Sequence, residues 1–326
     1  MKKARISAGL SAYRQIQLTI NNILLAINIT LMYSAPLIFA ALGGVITQRS
    51  GVDNIGIEGM MTIGAFVATA VGYFTGSPWL GFLIGGLAGA AMAVLHAVAS
   101  IHLQGNQTIS GVAINFIGLG LALFLSRLFF DGATQTQPVP KKLPKILSLL
   151  GMDTSNLTIN AINIDITVPL AILLTVAMWF FLYKTKWGLR VLACGEHPAA
   201  ADSLGVNIYV IRYVCCILSG LLAGFGGAAM TLAVVSNFSP TVISGHGFIA
   251  LAAVIFGKWT PQGALRACLL FGFAQAMVVM LGGMEYIPSQ LLAMLPYVLT
   301  MVVLVLFVGR SEAPKANGTP YRKGER

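Results

Sequence analysis

The amino-acid sequence predicts an all-α polytopic membrane protein, a helix bundle of about nine or ten transmembrane spans that includes broken or short helices. Hydrophobic residues make up 57% of the 326 residues and charged residues only 9%, whereas about 25% of the residues of a soluble domain are charged. The mean hydropathy is +0.83. The chain also holds 36 glycines, which allow close contact between helices in lipid.

The candidate spans follow one another along most of the chain. The apolar runs that are long enough to cross a bilayer are residues 57–74, 79–101, 108–130, 168–183, 213–236, 262–282 and 289–309. Residues 247–258 are also apolar but short, which predicts a half-span. Residues 16–48 are too long for one upright helix and include Pro36, so we predict two segments there and ten spans in all. One tilted helix would leave nine.

Charge divides the connecting segments into two groups. Residues 1–15 and the polar tail 310–326 are basic, and loop 184–212 has more basic than acidic residues. In loop 131–167 lysines and aspartates balance. The positive-inside rule therefore predicts that the N-terminal segment, loop 184–212 and the tail lie in the cytoplasm, and that loop 131–167 lies outside. The tail is also predicted to be disordered.

Several function classes are excluded by what the sequence lacks. The net charge of +10 does not indicate nucleic-acid binding, because the basic residues sit in loops and tails without an aromatic face for stacking bases. No Gly-x4-Gly-Lys-Ser/Thr phosphate loop occurs, so the chain cannot hydrolyse ATP alone. No nucleophile has a base partner, and neither the histidines nor the cysteines show metal spacing. We therefore predict a non-enzyme that has no cofactor or metal of its own.

Residues 188–207, with the sequence GLRVLACGEHPAAADSLGVN, punctuate the apolar chain with a short helix. Pro198 suits the first turn, and Gly205 is placed to stop the helix. Glu196, followed by His197, lies near the start and complements the helix dipole. Asp202 is expected to be exposed and free to pair with a partner. A short helix between two spans, on the basic side, is what a membrane protein needs to contact a soluble motor.

Five residues are candidates for lining a substrate pathway. Asn54 and Glu58 lie in a glycine-rich break between two apolar runs, and such breaks commonly present polar groups to substrate. The alternative for Glu58 is hydrogen bonding to nearby backbone or capping the helix that it begins. Asn115 lies deeper in a span and needs a partner or a water path. Phe248 could stack on a base or a ribose, or pack in the core, and Gln275 lies mid-span.

Four stretches resemble the permeases of bacterial ABC importers of the ribose, branched-chain amino acid and nucleoside group. They are SGVDNIGIEGMMTIGAF at 50–66, NQTISGVAINFIG at 106–118, the 188–207 segment, and GFIALAAVIFGKWTPQGAL at 247–265. The first and last resemble nucleoside permeases more than ribose or amino acid permeases. The resemblance covers roughly residues 16–309, which we take as the permease domain.

The resemblance implies a permease subunit that moves nucleosides inward across the bacterial cytoplasmic membrane. The implied partners are a separate ATP-binding subunit that binds the ATP, a second permease subunit (a related chain or a second copy), and an extracytoplasmic substrate-binding protein. The group's coupling segment corresponds to residues 188–207, so Glu196, His197, Pro198, Asp202 and Gly205 are implied to contact the ATPase.

Three alternatives remain at the level of sequence. The same permease role could serve a simple sugar such as ribose or a branched-chain amino acid. An ion-coupled secondary transporter would favour charged residues buried in spans, and Glu58 and Arg266 are almost the only ones here. A structural scaffold would not need the polar helix breaks.

Overall fold

The computed structural model describes residues 2–152, 157–282, 289–307 and 312–323. Over these ranges the regular structure is helical, and no β-strand is formed. The helices are α1 (Lys2–Arg49), α2 (Ile57–Thr75), α3 (Pro78–Ala97), α4 (Gln107–Phe129), α5 (Ile146–Leu149), α6 (Leu157–Ile162), α7 (Thr167–Lys184), α8 (Lys186–Glu196), α9 (Pro198–Ser203), α10 (Ile208–Ala229), α11 (His246–Phe256), α12 (Pro261–Leu281) and α13 (Ser289–Phe307). One π-helical stretch extends α3 to His102 and another extends α10 to Val235.

The helix lengths confirm a polytopic all-α bundle. The described residues contain seven stretches that are long and apolar enough to cross a membrane, formed by α1, α2, α3, α4, α7, α10 and α12. The short helix α11 confirms the predicted half-span, and α13 supplies 19 further helical residues. Adding the half-span α11 and α13 to these seven gives nine membrane segments in the described chain, which is the lower of the two numbers that the sequence allowed.

Residues 16–48 do not form two segments, so the prediction of ten spans is wrong. They belong to the single continuous helix α1, which contains Pro36. A proline removes one backbone hydrogen bond, but in lipid no other structure would satisfy the neighbouring backbone groups, so the helix continues through it. The part of α1 from Thr19 to Arg49 has 31 residues, or about 46 Å of helix.

Asn28, in the middle of α1, and Arg49, at its end, lie on opposite sides of the bundle. The Asn28 side-chain amide donates hydrogen bonds to the carbonyl oxygens of Ala161 and Asn163, in loop 131–167. At the end of α1, Arg49 pairs with Glu196 at 3.8 Å. About 20 residues separate these points, which is about 30 Å and the thickness of the hydrocarbon core. The prediction that the N-terminal segment shares a side with loop 184–212 is therefore wrong, because α1 crosses once.

Helices α2, α3 and α10 pack together, and α1 packs on α10 and α12. Glycines permit this close approach. A Cβ atom on Gly64 of α2 would lie 2.6 Å from the Cα atom of Gly224 in α10. One on Gly85 of α3 would lie 2.8 Å from the carbonyl oxygen of Gly64. Larger residues at these positions would force the helices apart, so the glycines fix the frame that carries the site.

The chain returns into the bundle between α10 and α11 without regular structure. Phe238 exchanges backbone and side-chain hydrogen bonds with Thr136, in loop 131–167. A few residues later Gly245 reaches the first turn of α2, and α11 then runs to Gly257 beside the end of α1. Irregular backbone at this depth is tolerated because it lies against protein or a cavity.

The C-terminal tail is ordered where the structure describes it, so the prediction of disorder is wrong for residues 312–323. The backbone N–H of Ala316 donates to the carbonyl oxygen of Gly195 at 2.8 Å, and Arg212 donates to the carbonyl oxygen of Thr319 at 3.0 Å. A polar composition indicates disorder when a segment can bury little apolar surface, but here backbone hydrogen bonds hold the tail.

Candidate functional site

Glu58 joins the start of α2 to the start of α11. Its Oε1 accepts a hydrogen bond from the backbone N–H of Gly245 at 2.6 Å, and its Oε2 accepts one from Gly247 at 2.6 Å. The first N–H groups of a helix lack partners within the helix and carry a partial positive charge. Glu58 therefore caps α11, a helix remote in sequence, while lying in the first turn of α2.

Glycine is required at both residues that donate to Glu58, Gly245 and Gly247. Gly245 has a φ of +92°, a left-handed conformation that favours glycine. A Cβ atom on Gly247 would lie 2.6 Å from the Cα atom of Glu58. The backbone of α11 thus approaches α2 more closely than any side chain would permit.

A cavity of about 380 Å³ opens beside this junction. The lining residues come from α2, α4, α11 and the segment before α11: Glu58, Thr62, Val112, Asn115, Phe116, Leu119, Pro240, Ser244, Gly245 and Phe248. Of the five predicted pathway residues, the structure brings Glu58, Asn115 and Phe248 together here. Phe248 is 50% exposed and Phe116 is 73% exposed, so their rings are available to a ligand or to a neighbouring chain.

Asn115 lines the cavity and also ties α4 to the helix break. Its Oδ1 accepts from the backbone N–H of Gly59 at 2.8 Å, and its Nδ2 donates to the carbonyl oxygen of Ile55 at 3.1 Å. This supplies the partner that a deep amide needs. The side chain keeps one further donor and one further acceptor position for a ligand.

Asn54 and Gln275 do not line the cavity. Asn54 is fully buried, and its Nδ2 donates to the hydroxyl of Ser219 in α10 at 3.0 Å. This bond fastens the break between α1 and α2 to α10. The Oδ1 of Asn54 is without a partner among the described residues. Gln275 is half-buried on α12, which packs on α1 and α11. The sequence indicated their depth but not the direction in which they face.

Sequence reasoning missed three of the polar and aromatic lining residues. Thr62 lies four residues after Glu58, and Phe116 shares a face of α4 with Val112, at the spacing that places helical side chains side by side. This periodicity could have identified them. Ser244 carries no such signal, because it lies in an irregular segment whose path is set by tertiary contacts.

The predicted short helix is present on the opposite end of the bundle from loop 131–167. Pro198 begins α9, as predicted, and Gly205, with a φ of +81°, follows its end. Glu196 ends the preceding helix α8 and is paired with Arg49. His197 is exposed and lies between the two helices.

The most prominent apolar residue of this region escaped sequence analysis. Leu204, directly after α9, is 84% exposed. Asp202 is half-buried rather than exposed, and its carboxylate lies close enough to Tyr321 in the tail to affect the pKa of that tyrosine. The pKa of Tyr321 is raised, first by desolvation and then by the neighbouring Asp202 carboxylate. The surface of α9 that is open to a partner is therefore formed by His197, the helix itself and Leu204.

The connection between α1 and α2, residues 50–56, lies between the cavity and α9 and is held by hydrogen bonds. Gln48 donates to the Asp53 carboxylate at 3.0 Å, and the backbone N–H of Asp53 donates to the side-chain oxygen of Gln107 at 2.7 Å. Burial raises the pKa of Asp53, and the hydrogen bond from Gln48 opposes that rise. His96 contacts the carbonyl oxygen of Asp53 and the hydroxyl of Ser110, as expected of a satisfied interior histidine.

Within the ranges that the structure describes, no group of three or more His, Cys, Asp or Glu side chains is placed to hold a metal ion. The four cysteines are free and buried. The candidate site therefore has two parts. One is the cavity with its polar and aromatic walls, and the other is the exposed short helix α9. The connection between α1 and α2 lies between them.

A family model described as a branched-chain amino acid transport system permease component matches residues 26–308. The chain is 45% identical to the guanosine ABC transporter permease protein NupQ of Bacillus subtilis, over 91% of this chain and 96% of that protein. It is 40% identical to the nucleoside ABC transporter permease protein NupC of Lactococcus lactis subsp. cremoris, over 94% of this chain and 99% of that protein.

A third relative is named for another substrate. The TsgC13 protein of Haloferax volcanii, which has a provisional assignment as a glucose ABC transporter permease, is 38% identical over 77% of this chain and 76% of its own. No solved structure matches the chain.

Proposed function

The chain belongs to the family of permease components of branched-chain amino acid transport systems, and we propose that it is the permease subunit of an ATP-driven importer that carries nucleosides inward. Membership makes it a multi-pass membrane protein that does not itself hydrolyse ATP. The substrate, the direction of transport and the placement of loop 184–212 and the tail in the cytoplasm of a bacterium are part of the proposal.

The chemistry of the cavity supports a neutral, ring-containing substrate. Among the described residues that line it, only Glu58 is charged, and Glu58 already accepts hydrogen bonds at both oxygens from the start of α11. What remains for a ligand is the aromatic surface of Phe116 and Phe248 and the uncharged groups of Asn115 and Ser244. A base can stack on an aromatic ring, and ribose hydroxyls can pair with an amide or a hydroxyl. An amino acid would need counter-charges for two fixed charges.

Two relatives that cover most of this chain are named for guanosine or nucleosides, which favours a nucleoside over a sugar. The cavity is open at Phe116 and Phe248, so a second permease subunit, either a related chain or another copy, would complete its wall. The proposal places loop 131–167 outside, where an extracytoplasmic binding protein would deliver the substrate.

The ATP-binding subunit is proposed to dock on α9 and Leu204. Leu204 exposes 84% of its surface beyond the end of a short helix, where an apolar side chain is suited to a pocket in a soluble partner. The chain has no phosphate loop of its own, so the ATP must be bound by that partner.

The test is uptake of radiolabelled guanosine by liposomes that contain the chain with its ATP-binding subunit, second permease subunit and binding protein. We expect ATP-dependent accumulation that unlabelled nucleosides compete away. If ribose, glucose or a branched-chain amino acid competes and four different nucleosides do not, the nucleoside assignment is wrong and only the permease role survives.

A further inference from the structure

Residues 312–323, which we call the C-terminal strap, run across several connections between helices on the side of α9. At the start of the strap, Ala316 is bonded to Gly195 at the end of α8. Near its end, the Arg322 guanidinium donates to the Gln104 side chain at 2.8 Å, in the connection between α3 and α4. The strap therefore touches segments that are far apart in the sequence.

The strap also contacts the segments on both sides of the short helix α9. The ring centroids of Tyr209, in the first turn of α10, and Tyr321 lie 5.9 Å apart. The Tyr209 hydroxyl donates to the carbonyl oxygen of Tyr321 at 3.3 Å. The Asp202 carboxylate of α9 neighbours the same tyrosine. A displacement of α9 would consequently be felt by the strap.

Arg212 lies under the strap and joins it to the connection between α1 and α2. Its side chain is 1% exposed. The Nη1 donates to the carbonyl oxygen of Thr319 at 3.0 Å, and the Nε donates to the carbonyl oxygen of Ser50 at 3.3 Å. In the described chain no carboxylate lies within ion-pair distance of Arg212. Backbone carbonyl oxygens thus accept hydrogen bonds from two of its three nitrogens, whereas the Nη2 has no hydrogen-bond partner among the described residues.

The connection that Arg212 holds leads directly to the cavity. It begins at Ser50 and ends in α2, whose first turn carries Glu58. Asn54, in the same connection, is bonded to Ser219 of α10. The end of α8 also packs directly on this end of α1, since a Cβ atom on Gly195 would collide with the carbonyl oxygen of Arg49, and Arg49 pairs with Glu196 at 3.8 Å in a partly exposed contact. Such surface pairs hold segments weakly.

We propose that the C-terminal strap and Arg212 couple α9 mechanically to the cavity, by fastening α9 and the start of α10 to the connection that carries Glu58. The proposal rests on the proposed function only in requiring an ATP-binding subunit at α9; it does not depend on the substrate. Arg212 is a positioning residue, and the strap is a structural element of the transport cycle rather than an appendage.

The experiment measures whether nucleotide binding at the ATPase changes the accessibility of a cavity residue. The four native cysteines are replaced by alanine and Ser244, an exposed cavity residue, is changed to cysteine. The rate at which a thiol reagent modifies Cys at this position in the assembled complex is measured with and without ATP plus vanadate. With the strap intact we expect the rate to change about fivefold or more, the usual scale of coupling between sites.

Three variants then decide the proposal. Truncation after residue 311 and Arg212→Gln should each abolish the nucleotide-dependent change while the complex still assembles. Arg127→Gln, which replaces an exposed arginine at the other end of the bundle, should leave it intact. Because loss of a buried arginine can unfold a protein, Tyr321→Ala offers a milder change that should reduce the response.

Several outcomes would overturn the proposal. They are an unchanged response after truncation, the absence of any response with the strap intact, and loss of the ATPase from the complex on truncation, which would make the strap a docking element. Failure of guanosine uptake would contradict the substrate assignment alone, because the labelling experiment contains no substrate.

Discussion

The Glu58 carboxylate on α2 and the backbone N–H of Gly245, which precedes α11, are joined by a 2.6 Å hydrogen bond across 187 residues of sequence. A second bond of the same length joins the other carboxylate oxygen to Gly247. Together they set the position of a half-helix whose Phe248 faces the cavity. The site therefore depends on one charged side chain that acts on backbone rather than on substrate.

Removing this carboxylate should loosen α11. We expect Glu58→Ala to leave two helix N–H groups without partners, at a cost of about 1–3 kcal/mol for the buried Gly247 and less for the half-buried Gly245. Glu58→Gln retains one acceptor oxygen and should fall between Glu58→Ala and the native protein. The readouts are the thermal unfolding midpoint in detergent and guanosine uptake. Equal stability of all three proteins would show that the bonds contribute nothing.

The aromatic wall of the cavity predicts a contrast between two phenylalanines. Phe248 and Phe273 are both 50% exposed, but only Phe248 lines the cavity. Phe248→Ala should raise the KM for guanosine uptake about twofold to twelvefold, because loss of one aromatic contact costs about 0.5–1.5 kcal/mol. Phe273→Ala should leave the KM unchanged. The same effect from both substitutions would place Phe248 in lipid rather than in the pathway.

The ATPase contact is tested by an exposed leucine. Leu204→Asp should abolish co-purification of the ATP-binding subunit, because the substitution places a charge where an apolar anchor is required. Leu149→Asp is the matched control, since Leu149 is 64% exposed but belongs to loop 131–167. Retention of the ATPase by Leu204→Asp would show that the docking site lies elsewhere.

A second variant, Glu196→Lys with Asp202→Lys, should uncouple ATP hydrolysis from uptake by breaking the contacts with Arg49 and Tyr321.

The corrected topology is tested by impermeant thiol labelling of whole cells. In a background without native cysteines, cysteine at Ser148 or at Asn22 should react, and cysteine at Lys315 should not. All three positions are exposed. Asn22 is the decisive position, because only a single crossing by α1 places it on the side of Ser148. Protection at Asn22 with reaction at Ser148 would restore the two-segment interpretation.

Most of the spans could be predicted because apolar length alone determines them in lipid. The continuity of α1 could not, since the length of the apolar run and Pro36 indicated a break. Asn28 is satisfied by backbone carbonyls of residues 161 and 163, which no local pattern reveals. Arg212 was counted only as a loop charge because the acceptor in Thr319 lies more than a hundred residues away.

For the site, too, local sequence pattern identified some residues, while the placement of others depends on distant contacts. Glu58 was singled out because it lies in a glycine-rich break, Asn115 because it lies deep in a span, and Phe248 because its ring could stack on a base; all three line the cavity. Asn54 has the same chemistry but is bonded to Ser219 of α10, and Gln275 is not among the residues that line the cavity. A helix face can be computed from spacing, whereas the identity of the facing helix depends on contacts between distant residues.

The central claim is that a nucleoside passes through the cavity beside Glu58. Its most direct test is chemical modification of cysteine placed at Phe116, on the cavity wall, in proteoliposomes that contain the complete importer. We predict that modification blocks ATP-dependent guanosine uptake and that excess guanosine, delivered with the binding protein, slows the modification. Cysteine at Phe273 should show neither effect. Uninhibited uptake after complete modification at Phe116, with no protection by guanosine, would contradict the account.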